Sequence, residues 1–487
     1  MLFKLLLDKM EIVETVGEVP TEITAITDLS LKVVKGGVFF AVKGNNNDGR
    51  NYVKEVELLG GAVIVSEQKL DTSLCQIIVK DVRKELALCA REFYGNPQED
   101  LRIIGVVGTN GKTSTCHILS SIFTASGFKV GVTGTIGTYY GGKIFESSLT
   151  TLGAVDLFRL ISDMVKAKVD ILIMEISAHA IDQKRCDGIY FDALIYTNCT
   201  EDHLDYFEDM ERYSAVKKSI FSFENCRYMI VNSDDKVGRE IIREKSGNLI
   251  TYGIENPADV FAIDIVENNN GVNFVINLFD LIYGIDCGLF GLYNVYNLLG
   301  ACACAATFGV KMHVISLALR RLKPISGRSE PIGEYNGGKI FLDYAHTPDG
   351  LKRTLSAMRK ICDGKLICLF GCGGNREKQK RPVMGSISGA IADFTVITTD
   401  NPRYEDCCQI IREIEDGLKK VTSKYITVSD RKSAIIYALE KLKSGDVLVL
   451  CGKGAEKYQE IMGEKRYFSD KKTVNEYIAY KQGDGVY

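Results

Sequence analysis

The stretch Val106-Val107-Gly108-Thr109-Asn110-Gly111-Lys112-Thr113, VVGTNGKT in one-letter code, decides how the rest of the chain is read. A strict phosphate-binding loop needs Gly, four residues, then Gly-Lys-Ser/Thr; the first glycine's place is taken by Val106, and Gly105 sits one position too early. The physical requirement is met nonetheless. A β-branched run (Ile103, Ile104, Val106, Val107) leads into the turn Gly108-Thr109-Asn110-Gly111, and Lys112, Thr113 and Ser114 open a helical pattern through Ile118 and Leu119. That order lets backbone N–H groups and a helix N-terminus surround a polyphosphate. Lys112 would then neutralise the β and γ phosphates of ATP, and the Thr113 hydroxyl would face a nucleotide-bound Mg²⁺. A glycine turn opening an ordinary helix is the plainer alternative.

Bulk properties narrow the field. A chain of 487 residues predicts two or three domains. Hydrophobic content of 46% and charged content of 25% are those of a soluble globular protein. A net charge of -3 gives no electrostatic reason to expect nucleic acid or an anionic membrane as partner. No apolar run reaches the length of a membrane span, and MLFKLLLDKM meets Asp8 and Lys9 without a cleavage signal, so a cytoplasmic protein is expected. The 15 cysteines contain no Cys-x-x-Cys pair and predict reduced thiols rather than disulfides or a zinc ribbon.

Along the chain, residues 1 to 98 read as short strands (VFFAV, AVIVS) and helices ending in the loop-like YGNPQED. Residues 99 to 326 carry the loop above and further strands, each followed by polar residues, and residues 327 to 487 begin a new series (LICLFG, FTVITTD, DVLVLCG). Alternating strands and helices predict an α/β protein with a mostly parallel sheet, whose ligands gather at the carboxyl ends of the strands.

Polar clusters fall at those ends. Glu175-Ile176-Ser177-Ala178-His179 follows the ILIM strand, and TNCTEDHLD, with His203, follows ALIY. An acidic residue and a histidine at adjacent strand ends could hold a second Mg²⁺, with Glu175 the better candidate because Mg²⁺ prefers oxygen. Two of the five histidines lie here. In the third section GCGGNREKQKRP concentrates Arg376, Lys378, Lys380 and Arg381 in a glycine-led loop able to grip phosphate or carboxylate, although alone it reads as a solvated charge run. Asp400-Asn401-Pro402-Arg403 and Gly452-Lys453-Gly454-Ala455-Glu456 also follow strands, and three such loops argue for a site.

GTNGKT, EISAHA, TNCTEDHLDYF, LDYAHTPDGL, FGCGGNREKQKRP and DNPR occur in the order seen in the Mur ligase family, which the chain resembles over nearly its whole length. The resemblance implies three domains: residues 1–98 for the UDP part of the acceptor, 99–326 a central P-loop-type ATPase, and 327–487 a Rossmann-like domain for the incoming amino acid. It implies an ATP- and Mg²⁺-dependent ligase that phosphorylates the acceptor's terminal carboxylate and lets an amine attack the acyl phosphate. By the same resemblance Lys112, Glu175, His203 and Lys217 (in SAVKKSIF) are catalytic; Thr113, Glu175, His203 and Lys217 are metal-associated, Lys217 as a carbamate formed with CO₂. Gly108 to Ser114, Asn294 or Asn297, and Arg328 fall to ATP. Ser30, Thr150, Thr151, Ser177, Gln183 and Arg185 fall to the UDP-substrate, and VFFAVKGNNNDGRNYV is similar to the family's uridine-binding domain.

Arg376, Asp400, Asn401, Arg403, Gly452 and Glu456 fall to the amino acid. DNPR accompanies meso-diaminopimelate in the family, so the implied reaction adds this amino acid to UDP-N-acetylmuramoyl-L-alanyl-D-glutamate in peptidoglycan synthesis, the enzyme acting as a monomer. The guanidinium of Arg403, helped by Arg376, can pair with the second carboxylate that lysine lacks, and Glu456 with the distal ammonium. Departures from the family pattern are Leu29 and Leu31 around Ser30, Leu152 after Thr150-Thr151, Ala178 in EISAHA and Ala455 in GKGAE. They bear on the acceptor and amino-acid sites and leave room for a relative using L-lysine or a modified acceptor. A folylpolyglutamate synthase-like ligase, or a nucleotide-binding protein without activity, are further readings.

Overall fold

The computed structural model describes residues 1–44, 47–147, 149–245 and 247–483. Asn45 and Asn46 of VFFAVKGNNNDGRNYV therefore lie outside the described residues. Three α/β sheets succeed one another along the chain. The first orders its strands Ile12–Val16, Cys75–Val79, Val63–Ser66, Val38–Phe40 and Ile26–Thr27, all parallel except the first pair.

The central sheet has 11 strands and holds Arg102–Val107 in its interior, between Ile171–Ile176 and Phe191–Tyr196, all running parallel. Their near-continuous apolar sequences fit strands covered on both faces. Every residue of Ile171–Ile176 is buried, and helix Lys112–Ala125 packs on one side while helix Ala154–Lys166 belongs to the core on the other. Both ends of this sheet depart from the parallel pattern. Val260–Asn268, Gly271–Leu278 and Leu281–Cys287 form an antiparallel meander, and Val130–Gly134, Gly137–Tyr140 and Lys143–Phe145 form another. The burial of Gly271–Leu278 largely alternates because one face packs on helix Leu292–Thr307 while the other meets water.

The third sheet orders Glu330–Tyr335, Gly338–Leu342, Val447–Leu450, Leu366–Phe370, Phe394–Ile397 and Tyr425–Thr427, parallel but for the first pair. A separate hairpin, Tyr458–Ile461 with Glu464–Tyr467, follows it. Among the described residues no helix is long and apolar enough to cross a membrane, and the cysteines are free thiols.

Candidate active site

The loop after Arg102–Val107 turns where only glycine fits. Gly108 has φ +152° and Gly111 +88°, and a Cβ on either would collide with Thr197 Oγ1 or Asn297 Oδ1 respectively. The neighbouring strand end fastens the loop. Thr109 N donates to Asn198 O (2.9 Å), Asn110 N to Asn198 Oδ1 (3.0 Å), and Thr197 Oγ1 to Asn110 O (2.7 Å). Helix Lys112–Ala125 starts immediately after Gly111. Among the described residues the hydrogen-bond partners of Lys112 Nζ are carbonyls, Gly108 O at 2.8 Å and Thr109 O at 2.9 Å, and burial lowers its pKa.

Glu175 is 2% exposed at the end of its strand. It accepts from Thr113 Oγ1 (2.9 Å), Thr135 N (2.8 Å) and Thr135 Oγ1 (3.2 Å), and no lysine or arginine pairs with it among the described residues. A buried carboxylate supplied only with neutral donors, against a second hydroxyl oxygen, suits a hard divalent cation. Arg328 Nη2 donates to the same Thr113 hydroxyl (3.0 Å).

Lys217, 1% exposed, donates to Thr109 Oγ1 (2.5 Å) and lies 3.9 Å from the centre of the Tyr213 ring and 3.7 Å from Cys199 Sγ. Burial lowers its pKa to about 8. Adjacent Lys218 instead pairs with Glu240 (2.9 Å) and Glu244 (3.2 Å). His203 has φ +57°, packs its ring 4.7 Å from His179 and 6.4 Å from Tyr213, and is held neutral by burial, its pKa lowered to about 4. Its neighbour Asp202 stays ionised at about 2: burial opposes the charge, but His203, His346, Lys380 and Lys112 outweigh it. Thr113 and Glu175 thus meet directly, while Lys217 and His203 meet Tyr213, whose hydroxyl reaches Thr109 Oγ1 of the loop (3.3 Å).

The residues assigned to the acceptor form one network off Glu175. Thr151 Oγ1 donates to Glu175 O (2.9 Å) and accepts from Ser177 N (3.0 Å); Arg185 Nη1 donates to Thr151 O (2.9 Å) and Nη2 to Gln183 Oε1 (2.6 Å). Thr150 Oγ1 reaches Thr135 Oγ1 at 3.1 Å. Ser30 stands apart on a single turn, Ser30–Lys32, whose Lys32 pairs with Asp156 of the central section (3.4 Å).

A cavity of about 530 Å³ opens beside the loop, bordered by Gly111, Tyr293, Tyr296, Asn297, Arg328 and Asp349. Asn110 Nδ2 donates across it to Asp349 Oδ2 (3.1 Å). Asn297 lies close behind Gly111, and Asn294 bonds to it (3.0 Å).

In the third section, Asn401 Nδ2 donates to Glu456 Oε2 (2.9 Å), and Lys453 Nζ bridges Asn401 Oδ1 and Glu456 Oε2, each at 3.1 Å. Gly452 has φ +102°, and a Cβ there would come within 2.6 Å of Asp400 Oδ2. Arg403, at φ +51°, donates through Nη1 to Gly374 O (2.7 Å), and its Nε lies 3.3 Å from Glu460 Oε2. Arg376 is exposed and passes the same glycine loop. Glu405, a conceivable partner for Arg403 by sequence proximity, belongs to the fully buried Arg381 (2.9 and 3.0 Å), which also holds Glu413 (2.7 Å). Sequence reasoning left Thr135, Asn198, Asp202, Tyr213, Lys453 and Glu460 without roles; of these, Thr135, Asn198 and Lys453 follow strands closely and obey the strand-end rule already in use.

Two family profiles match the chain: Mur ligase middle domain over residues 106–305, and Mur ligase, glutamate ligase domain over residues 327–454. A protein of Clostridium acetobutylicum named UDP-N-acetylmuramoyl-L-alanyl-D-glutamate–2,6-diaminopimelate ligase 1 is 40% identical, over 95% of this chain and 96% of its own. One of the same name, without the numeral, from Bacillus cereus is 37% identical over 94% of each. A solved structure of a protein so named superposes with a TM-score of 0.68 at 28% identity, covering 95% of this chain and 96% of that one.

Proposed function

The chain belongs to the Mur ligase family, and on that premise we propose that it joins meso-diaminopimelate to UDP-N-acetylmuramoyl-L-alanyl-D-glutamate at the expense of ATP. It is an amide-bond-forming ligase. The observation that carries the substrate assignment is the likeness, across nearly the full chain, to relatives named for this reaction. That likeness takes in most of residues 1–98, which a folate-type ligase has no reason to share.

The geometry supports a division of labour. Residues 1–98, with Ser30, face the uridine end of the acceptor; residues 99–326 hold ATP; residues 327–487 present the amino acid. The N–H groups of Gly108 to Ser114 and the Lys112 ammonium surround the triphosphate, with Arg328 beside them and Asn297 toward the base. Thr113 and Glu175 would hold Mg²⁺, with His203 and a carbamate on Lys217 beside Tyr213. Mg²⁺, when bound, offsets charge on the transferring phosphoryl group. A lysine at about 8 supplies far more neutral amine at physiological pH than an ordinary one, and only the neutral amine captures CO₂. Thr151, Ser177, Gln183 and Arg185 steer the acceptor's carboxylate toward the phosphate. On the opposite side Arg403, Asp400, Asn401, Gly452 and Glu456, with Arg376 at the rim, orient the amino acid so that its α-amine reaches the activated carboxyl.

The test is ADP release by the purified protein with ATP, Mg²⁺, the UDP-linked dipeptide and a panel of amino acids. Release requiring both acceptor and meso-diaminopimelate is expected. Equal use of L-lysine, or activity with a folate and glutamate instead, overturns the assignment.

A further inference from the structure

Arg403 is positioned by the protein's own backbone. Its N donates to Glu460 O (3.0 Å), its O accepts from Met462 N (2.7 Å), and Nη1 is anchored on Gly374 O (2.7 Å). These bonds tie it to the hairpin strand Tyr458–Ile461 and hold a left-handed backbone that an arginine adopts only under constraint. The carboxylate of Glu460, 3.3 Å from Nε, is therefore surplus to positioning. Both side chains are partly buried, 22% and 23% exposed, so the pair is neither freely solvated nor sealed. The second acidic side chain nearby, Glu456, is already shared between Lys453 and Asn401.

We propose that Glu460 is a specificity-determining residue that competes with the substrate's distal carboxylate for Arg403. The proposal rests on the reading that Arg403 receives that carboxylate. A guanidinium has five N–H donors, so two carboxylates can crowd onto it, but their mutual repulsion weakens the incoming one. Conversely, when a ligand with no distal carboxylate enters, Glu460 keeps Arg403 paired. The penalty for an unpaired, partly buried cation, which would otherwise disfavour lysine, is thereby reduced. Glu460 thus costs affinity for diaminopimelate and tolerates lysine.

The test is Glu460→Gln, which keeps size and one accepting oxygen and removes the charge, with Glu464→Gln on the exposed strand of the same hairpin as a control for hairpin disturbance. Steady-state kinetics with meso-diaminopimelate and L-lysine are compared with wild type. For Glu460→Gln, KM for diaminopimelate falls about three- to tenfold at unchanged kcat, and kcat/KM for lysine falls; Glu464→Gln moves neither. A purely structural role moves both amino acids the same way. An unchanged or raised KM for diaminopimelate, parallel shifts for both, or the same shift in Glu464→Gln overturns the proposal. If wild type itself turns over no diaminopimelate, the assignment of the reaction has failed, and the proposal falls with it.

Discussion

Two cationic centres of the molecule are prepared in opposite ways. Lys112 is buried against two carbonyl oxygens and has no carboxylate partner among the described residues, whereas Lys453 and Arg403 each hold a glutamate, Glu456 and Glu460. The first is a cation without a direct ion pair, which Glu175 and Asp202 influence only through space, and this fits a group that meets the multiply charged phosphates of ATP. The second is a set of ion pairs, which on the proposed reading a zwitterionic amino acid enters by exchanging partners. An unpaired cation gives strength, and a paired set gives discrimination. Removing Lys112 should therefore remove most of the rate, and altering the paired cluster should mainly change the choice of amino acid.

The sharpest test of that contrast is Lys112→Ala. Loss of transition-state charge stabilisation is worth about 3 to 4 kcal/mol, so turnover falls a few hundredfold or more. Near-wild-type ADP release by this variant would remove the loop from the ATP site. Next in size, Lys217→Ala should be close to inactive, by roughly a hundredfold, and partly rescued by a short carboxylic acid standing in for the carbamate. Lys218→Ala should stay active, because its ammonium is spoken for by Glu240 and Glu244 at the surface. Rescue of the second variant rather than the first would reverse the assignment.

Arg403→Ala should lower kcat/KM for diaminopimelate roughly 10- to 100-fold while changing lysine little, measured as the ratio of the two. An unaltered ratio would show that Arg403 does not read the distal carboxylate. The smallest effect is on acid stability. Hydrogen bonds from Arg381 hold the Glu405 carboxyl at about 2, below its ordinary 4.5. A carboxylate depressed by folding stabilises the protein above its unfolded pKa, and that contribution is lost as pH falls from about 4.5 toward 2. Glu405→Gln should therefore lower the urea midpoint at pH 6 and flatten its decline through that window. A decline of unchanged steepness would mean that the Arg381–Glu405 pair does not couple to folding.

What the sequence disclosed follows the same division. Lys112, Thr113, Glu175 and the TNC segment were legible because a parallel sheet delivers every loop after a strand to one edge, so adjacency in space follows from strand identity alone. Thr135 obeys that rule and could have been found by it. In the third section the same rule brought the Asn401 and Glu456 loops to one site, but the individual pairs within it were not legible. Asn401 meets Glu456 55 residues away, and Arg403 meets Glu460 only because a hairpin with no motif of its own folds back alongside. Burial was equally hidden: Lys217 and Lys218 are identical neighbours in SAVKKSIF, and only packing against Tyr213 sets one apart. The antiparallel edges of the central sheet escaped too, since alternating and continuous apolar runs blur in short segments.

The strand Arg102–Val107 is the first of its sheet to be synthesised and yet sits inside it, between two strands made much later. Its end bonds to Thr197, 90 residues further on. At about 5 to 20 residues per second, a ribosome leaves both edges of this apolar strand unpaired for several seconds or more, a template for misassociation with other nascent chains. The loop Gly108 to Gly111 is attached to that strand and fastened by Thr197 and Asn198, so it can take its folded shape only after those residues have emerged. Chains interrupted between residues 107 and 196 should consequently be chaperone clients or aggregates rather than partly active fragments.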